Sequence, residues 1–295
     1  MRFFLLFAAM LTRLLAITPL PLLHGLAWPL GQLMYWLPWQ KHRVIRTNLA
    51  LCFPSLSAAE RKRLHRAYLV EQLRLVVEAG AVFHWSVERI EARLQIEGWD
   101  LVEAAAERGQ GVMFVSGHVG NWELLNLFIS SRLPLATLYR KPDQPALDAF
   151  ICRPRQRFGG SVVPGGSPAL RGMLAQLRRG QAVAVAADIQ PKRGDGVFVP
   201  FLGQPALTMT LVNRLAQKTG CAVIFCSGLR RPRGQGWQFR FEEAPALIAD
   251  SDPVLAMSAM NRWLGKVVEQ APAQYLWLYK RFSRQPDDSK PYRKT

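Results

Sequence analysis

From Arg93 to Gln270, short apolar runs alternate with segments of helical period. No other feature of the 295-residue chain narrows its fold as much. Arg93–Glu97, Gly111–Val115, Leu135–Tyr139, Ala182–Ala187, Ala222–Cys226 and Trp237–Phe241 read as strands, the last as an edge strand. Asp100–Arg108, Asn121–Ser131, Gln144–Phe158, Ser167–Arg179, Thr208–Thr219 and Pro253–Gln270 read as helices, and Gly109, Gly180 and Gly220 stand where three of them stop. Upstream, Ser57-Ala58-Ala59-Glu60 is a capping box that opens a helix running to about Ala81. Alternation of this kind predicts an α/β fold: a mixed, largely parallel sheet flanked by helices. There is no internal repeat, and the polar tail from Ser283 is expected to pack lightly or fray.

The N-terminus follows a different rule. Leu14–Gln40 contains no Asp, Glu, Lys or Arg. Its 27 residues would cross about 30 Å of hydrocarbon as a helix. Arg13 precedes this run and Lys41, Arg43 and Arg46 follow it, so the heavier basic flank lies C-terminal and places the remainder in the cytoplasm. Trp28, Tyr35, Trp36 and Trp39 suit a membrane–water interface. The expected organisation is an N-terminal membrane helix over residues 1–41 and a catalytic domain over 42–295. Pro19, Pro21 and Pro29 leave a kinked, half-inserted helix open.

The net charge of +17 directs the chain toward polyanions, yet 49% of residues are hydrophobic and nine are Trp. Charge combined with apolar surface fits a membrane face better than nucleic acid, and no nucleic-acid-binding motif occurs. Cys52, Cys152, Cys221 and Cys226 form no Cys-x-x-Cys pair and read as free thiols. Cys221 and Cys226, five apart in one apolar run, should face opposite sides of a sheet.

Chemistry concentrates where Gly111–Val115 ends. Ser116-Gly117-His118-Val119-Gly120-Asn121-Trp122-Glu123 places a histidine and a carboxylate five residues apart at the carboxyl end of a strand, where open α/β sheets bind ligands. A histidine oriented by a carboxylate is a general base. With 5 His and 21 Asp plus Glu, such a pair arises by chance in roughly one chain in three, so context must carry the assignment. The alternative is that His118 and Glu123 only tether the helix. No third His or Cys is spaced for zinc, and Ser116 lacks the Gly-x-Ser-x-Gly elbow of a nucleophile. His24, His42, His65 and His84 read as surface or interface residues.

Two further groups surround this segment. No acid occurs between Asp148 and Asp188, where Arg153, Arg155, Arg157, Arg171, Arg178 and Arg179 fall. Arg155 and Arg157 are candidates for phosphate or carboxylate recognition, whereas Arg178 and Arg179 end a helix and read as a solvated basic face. Asp188 follows the apolar run Ala182–Ala187 and would line the same rim as His118.

Several blocks, in order along nearly the whole chain, resemble the late acyltransferases of bacterial lipid A biosynthesis. They are Arg46-x-Asn48-Leu49 with Cys52-Phe53-Pro54, Gly117-His118-x-Gly120-Asn121-Trp122-Glu123, and Tyr139-Arg140-Lys141-Pro142 with the arginines before Phe158-Gly159. Asp188 with Gly196–Gly203, then Gln274-Tyr275-Leu276-Trp277 with Lys280-Arg281-Phe282, complete the series. The resemblance implies a glycerolipid-acyltransferase-like sheet, a catalytic domain on the cytoplasmic face of the inner membrane, an acyl carrier protein thioester as donor and a lipid A precursor as acceptor. It implies His118 and Glu123 as catalytic residues and Asn121, Arg140, Arg155, Arg157 and Asp188 as substrate-binding residues. It implies no metal and no organic cofactor.

On this reading His118 removes the proton of an acceptor hydroxyl while Glu123 orients its ring. Two rivals stand beside it: an acyltransferase for another glycolipid or a lysophospholipid, and a membrane-tethered nucleic-acid binder.

Overall fold

The computed structural model describes residues 2–293 apart from residues 140, 166 and 193. Six helices precede the first strand: α1 (Arg2–Ile17), α2 (Leu20–Trp36), α3 (Lys41–Cys52), α4 (Ala58–Val77), α5 (Ala79–His84) and α6 (Val87–Glu91). Strands and helices then alternate: β1 (Leu94–Glu97), α7 (Trp99–Glu107), β2 (Val112–Ser116), α8 (Trp122–Ser130), β3 (Leu135–Tyr139), α9 (Pro145–Arg155), β4 (Ser161–Pro164), α10 (Ser167–Arg178) and β5 (Ala182–Ala186). A hairpin of β6 (Gly196–Phe201) and β7 (Gln204–Met209) leads to α11 (Leu211–Thr219), β8 (Ala222–Arg230), β9 (Trp237–Glu243) and α12 (Pro253–Gln270).

Seven strands form one sheet in the order β1-β9-β8-β2-β5-β3-β4. Every neighbouring pair is parallel except β8 and β9, so the expected mixed, largely parallel sheet is what forms. Strand β2 is interior, between β8 and β5. Val112 and Phe114 enter one core with α7 and α8, while Met113 and Val115 enter another with α10, α11 and α12. Burial on both faces explains why this strand reads as an unbroken apolar run. Cys226 and Cys221 fall in these two cores, on opposite sides as expected, and all four cysteines are free and buried. A third core joins α3 and α4 to the β6–β7 hairpin and the C-terminal segment through Ile45, Tyr68, Phe201, Trp277 and Phe282.

Several expectations need correction. Strand β9 is not at the edge: the short β1 pairs along its outer side. The β6–β7 hairpin and β4 were not anticipated: Pro200 and Pro205 interrupt the strand patterns of the hairpin, Thr208 and Met209 belong to β7 and not to the following helix, and β4 is only four residues long at the sheet edge. The helix from Ser57 ends at Val77 and restarts as α5, while its capping box is present as read. The tail does not fray throughout: the Tyr292 hydroxyl donates to Asn48 Oδ1 at 2.5 Å.

The largest correction concerns the N-terminus. No described helix is long and apolar enough to cross a membrane. Pro19 adopts extended backbone and interrupts the uncharged run between α1 and α2, helices of 16 and 17 residues that are each about 24–26 Å long, short of the ~30 Å required. Both pack on the rest of the chain. The Trp85 indole N–H donates to Ala16 O at 2.8 Å, and α2 lies along α4. His24, His42 and His65, read as surface or interface residues, are buried in this packing. His24 meets Glu78, and His42 Nδ1 lies 3.0 Å from His65 Nε2.

The contact of α2 with α4 is close enough to require glycine. A Cβ at Gly31 would stand 2.7 Å from Val70 Cα, whereas one at Gly25 meets nothing within 4 Å. Gly31→Ala should therefore separate the helices and cost about 1–3 kcal/mol. Gly25→Ala should stabilise the same helix by about 0.5–1 kcal/mol. Thermal unfolding of the two variants checks this; equal shifts would mean that α2 does not pack as described.

Candidate active site

The loop from Gly117 to Asn121 links β2 to α8 and is fixed along its whole length. His118 O accepts from Leu276 N at 3.0 Å, Gly120 N donates to Gln274 O at 3.1 Å, and Asn121 N donates to Gly228 O at 2.8 Å. Gly120 has φ +64°, and a Cβ there would lie 2.0 Å from Gly228 O, so the left-handed turn and the close approach both demand glycine. Backbone from β8 on one side and from residues 274–276 on the other thus holds the histidine in place.

Asp188 holds the ring. In the parallel pairing of β2 with β5, Ser116 stands opposite Ala186. His118 and Asp188 each follow two residues later, so they emerge side by side at the carboxyl rim. His118 Nδ1 is 2.7 Å from Asp188 Oδ1, and His118 N donates to Asp188 Oδ2 at 2.8 Å. An ionised carboxylate accepts only, so the ring proton sits on Nδ1 and Nε2 keeps its lone pair. Nε2 has no hydrogen-bond partner among the described residues, and the imidazole packs edge-to-face against Trp122 with ring centroids 5.0 Å apart.

The electrostatics suit a base. Burial opposes charge on His118, but the Asp188 carboxylate and, more weakly, that of Glu123 outweigh it and raise its pKa above the ordinary 6.5. Burial would raise the pKa of Asp188; the facing His118 and the more distant Arg281 hold it below its usual value. Burial, and next the charge of the same carboxylate, push the Tyr275 hydroxyl well above its usual pKa. Arg281, buried beneath, donates to Leu207 O at 2.6 Å and Thr208 Oγ1 at 2.9 Å.

Glu123 does not take the orienting place expected of it. It lies in the first turn of α8 and forms a two-pronged pair with Arg155: Nε donates to Oε2 at 3.0 Å and Nη2 to Oε1 at 2.5 Å. Both side chains remain partly exposed, and their charges reach His118. Helical geometry is the reason: a first-turn side chain of α8 points along the helix surface toward α9, while the imidazole turns back over the sheet rim to β5.

The remaining candidates separate. Asn121 is fully buried; its Oδ1 accepts from Leu124 N at 3.0 Å as the cap of α8, and its Nδ2 donates to Glu78 Oε2 at 2.7 Å. It therefore holds the loop and is closed off from the surface. Arg157 donates to the carbonyls of Val82 and Trp85 near the end of α5, so its guanidinium braces that helix and not the rim. Arg140 lies outside the described residues. Asp188 was anticipated at the rim but not as the partner of His118. Tyr275 and Arg281 were visible only as members of similar sequence blocks, and Glu78 carried no signal.

Comparison with known proteins identifies the family. Residues 2–284 match the bacterial lipid A biosynthesis acyltransferase family. The chain is 27% identical over 91% of its length to the lipid A biosynthesis lauroyltransferase of Escherichia coli K12, covering 88% of that protein. It is 28% identical over 84% of its length to the palmitoleoyltransferase of the same organism, covering 81% of it. A lipid A biosynthesis acyltransferase of Haemophilus influenzae is 28% identical over 92% of the chain, with 88% of that protein covered. With a family match over almost every residue, the chain belongs to the bacterial lipid A biosynthesis acyltransferases.

Proposed function

We propose that this acyltransferase moves a fatty acyl chain from an acyl carrier protein thioester to a hydroxyl of a lipid A precursor, with His118 as general base. The observation that carries this reading is His118 Nε2: it has no hydrogen-bond partner among the described residues, beside an Nδ1 held 2.7 Å from a buried carboxylate. Asp188 takes the orienting role. Glu123 contributes its negative charge to the basicity of His118 and fixes Arg155. As the acceptor proton passes to Nε2, the oxygen attacks the thioester carbonyl and forms a tetrahedral oxyanion. The first N–H groups of α8 and the Arg155 guanidinium, whose charge reaches His118, are the groups proposed to stabilise it. Collapse breaks the C–S bond, and the imidazolium returns its proton to the departing sulfur. All four cysteines are buried, which favours direct transfer over an acyl-enzyme.

Membrane contact through helices that lie along the surface is part of this proposal. On α1, Leu6, Phe7, Met10, Leu14 and Ile17 are exposed; on α2, so are Leu22, Leu26, Leu30, Leu33 and, just beyond it, Leu37. Spacings of three and four residues make each set a stripe. A chain of charge +17 with such stripes suits the anionic inner membrane, and its cytoplasmic face is where an acidic acyl carrier protein would arrive.

His118→Ala should lose on the order of 10²–10⁴-fold in kcat while remaining folded; near-wild-type transfer by a folded His118→Ala protein would remove the base assignment. A general base must be neutral, and the folded-state pKa of His118 is raised. Accordingly kcat/KM should climb with pH through a midpoint above about 6.5. In Asp188→Asn the carboxylate is gone and burial still disfavours imidazolium, so that midpoint should move to lower pH while kcat falls. An unchanged pH profile in Asp188→Asn would exclude the orienting role. Glu123→Gln and Arg155→Ala should each lower kcat/KM, and the double variant should lose less than the product of the two, as expected for a contacting pair. Mass spectrometry of lipid A from cells with and without the protein identifies chain and position, and unaltered lipid A would redirect the search to other glycolipids or lysophospholipids.

A further inference from the structure

A groove of about 320 Å³ lies between α2 and α4, lined by Trp28, Gln32, Arg63, Arg66, Glu71 and Arg74. Its polar groups are unbalanced. Arg66 makes no ion pair among the described residues; its guanidinium lies over the rings of Tyr35 and Trp36, with centroids 4.6 and 5.2 Å away. Its Nε is buried with no hydrogen-bond partner, and so is the Nε of Arg74. Arg63 is exposed and reaches Glu60 only at 4.0 Å. Glu71 is the one carboxylate lining the groove, and it is already claimed twice, by Arg74 Nη1 at 2.5 Å and by Arg230 Nη1 at 2.6 Å. Three guanidinium groups therefore face one neutralised acid. Among the described residues the terminal nitrogens of Arg66 make no hydrogen bond, so the groove offers donors that an acceptor with several oxygens would satisfy. Guanidinium forks match phosphate in this way.

The surroundings specify the carrier of that phosphate. The groove borders the exposed leucine stripe of α2, with Trp28 and Trp36 beside it and Lys62 Nζ 5.9 Å from the Trp36 ring centroid. Indoles, leucines and basic groups in that order reproduce the profile of a membrane–water interface. The volume suits a headgroup and not acyl chains, which would lie along the stripe outside. We propose that the α2–α4 groove is a headgroup site for an anionic bilayer phospholipid, with Arg66 and Arg74 donating to its phosphate and the acyl chains covering the outer face of α2. This inference rests on the membrane contact proposed above.

The test measures partition of the full-length protein onto phosphatidylcholine vesicles and onto vesicles in which phosphatidylglycerol replaces part of the phosphatidylcholine. Arg66→Lys keeps the charge and removes the fork. It should lose about fivefold or more of the preference for phosphatidylglycerol, the size of one hydrogen bond to a charged group, with phosphatidylcholine partition unchanged. Arg63→Gln/Arg66→Gln should lose more, and Arg178→Gln/Arg179→Gln on α10, of equal charge change, should lose less. If Arg66→Lys behaves as wild type, or the two Gln pairs lose equally, attraction is diffuse and the site is overturned while membrane contact stands. If wild type binds neither vesicle, membrane contact itself fails and the headgroup site with it. Inorganic phosphate alone, titrated in detergent and followed by ³¹P line width, should show no saturable binding that Arg66→Lys removes; such binding would make the groove a free-anion site and overturn the lipid assignment.

Discussion

The structure turns on one buried carboxylate. Glu78 is fully enclosed between α4 and α5, and four bonds converge on it: His24 Nε2 of α2 at 2.8 Å, Arg230 Nε and Nη2 of β8 at 2.5 and 2.8 Å, and Asn121 Nδ2 of the histidine loop at 2.7 Å. Burial alone would push its proton affinity up. The Arg230 guanidinium and the other donors reverse this and lower its pKa to about 2. Removing Arg230 would strand that charge in the interior, which costs several kcal/mol. The pairing thus links the N-terminal helices, the central sheet and the loop that carries His118. The helices that offer apolar surface and the residues that carry chemistry are parts of one packed body.

The histidine–carboxylate pair shows how little sequence distance matters once strands align. Seventy residues separate His118 from Asp188, yet they meet because β2 and β5 are parallel neighbours in a register that places Ser116 beside Ala186. Glu123 is five residues away and does not reach the ring's Nδ1, because α8 carries it toward α9 and Arg155. A short interval along a helix sets a direction as well as a distance, and the direction was the wrong one. Asp188 could be read as a rim carboxylate from its place after an apolar strand. That it was the partner of His118 depended on strand order, which no local pattern encodes.

The N-terminal segment illustrates a different limit. Twenty-seven residues without Asp, Glu, Lys or Arg read as one membrane span. Pro19 divides them, Gly31 allows α2 to rest on α4, and His24 turns inward to Glu78. Each of these residues was visible in the sequence, the prolines even as a warning. Their combined effect required a partner surface, since a glycine marks a close approach only when another backbone is there to make it.

Local chemistry in the sequence alone determined most of the secondary structure. The doubly buried strand β2, the Ser57–Glu60 capping box, helix α12 and the α/β class follow from side-chain periodicity and cap geometry, which act within a few residues. The sequence also placed His118 at a strand's carboxyl end and, through its blocks, named the family. The tertiary structure decided what each group touches: Asp188 on the imidazole, Arg155 on Glu123, Asn121 and His24 on Glu78, and both N-terminal helices against the body. Those outcomes depend on strand order, register and helix approach. They are set by packing the whole chain at once, because a buried polar group takes whichever partner the fold brings within about 3 Å.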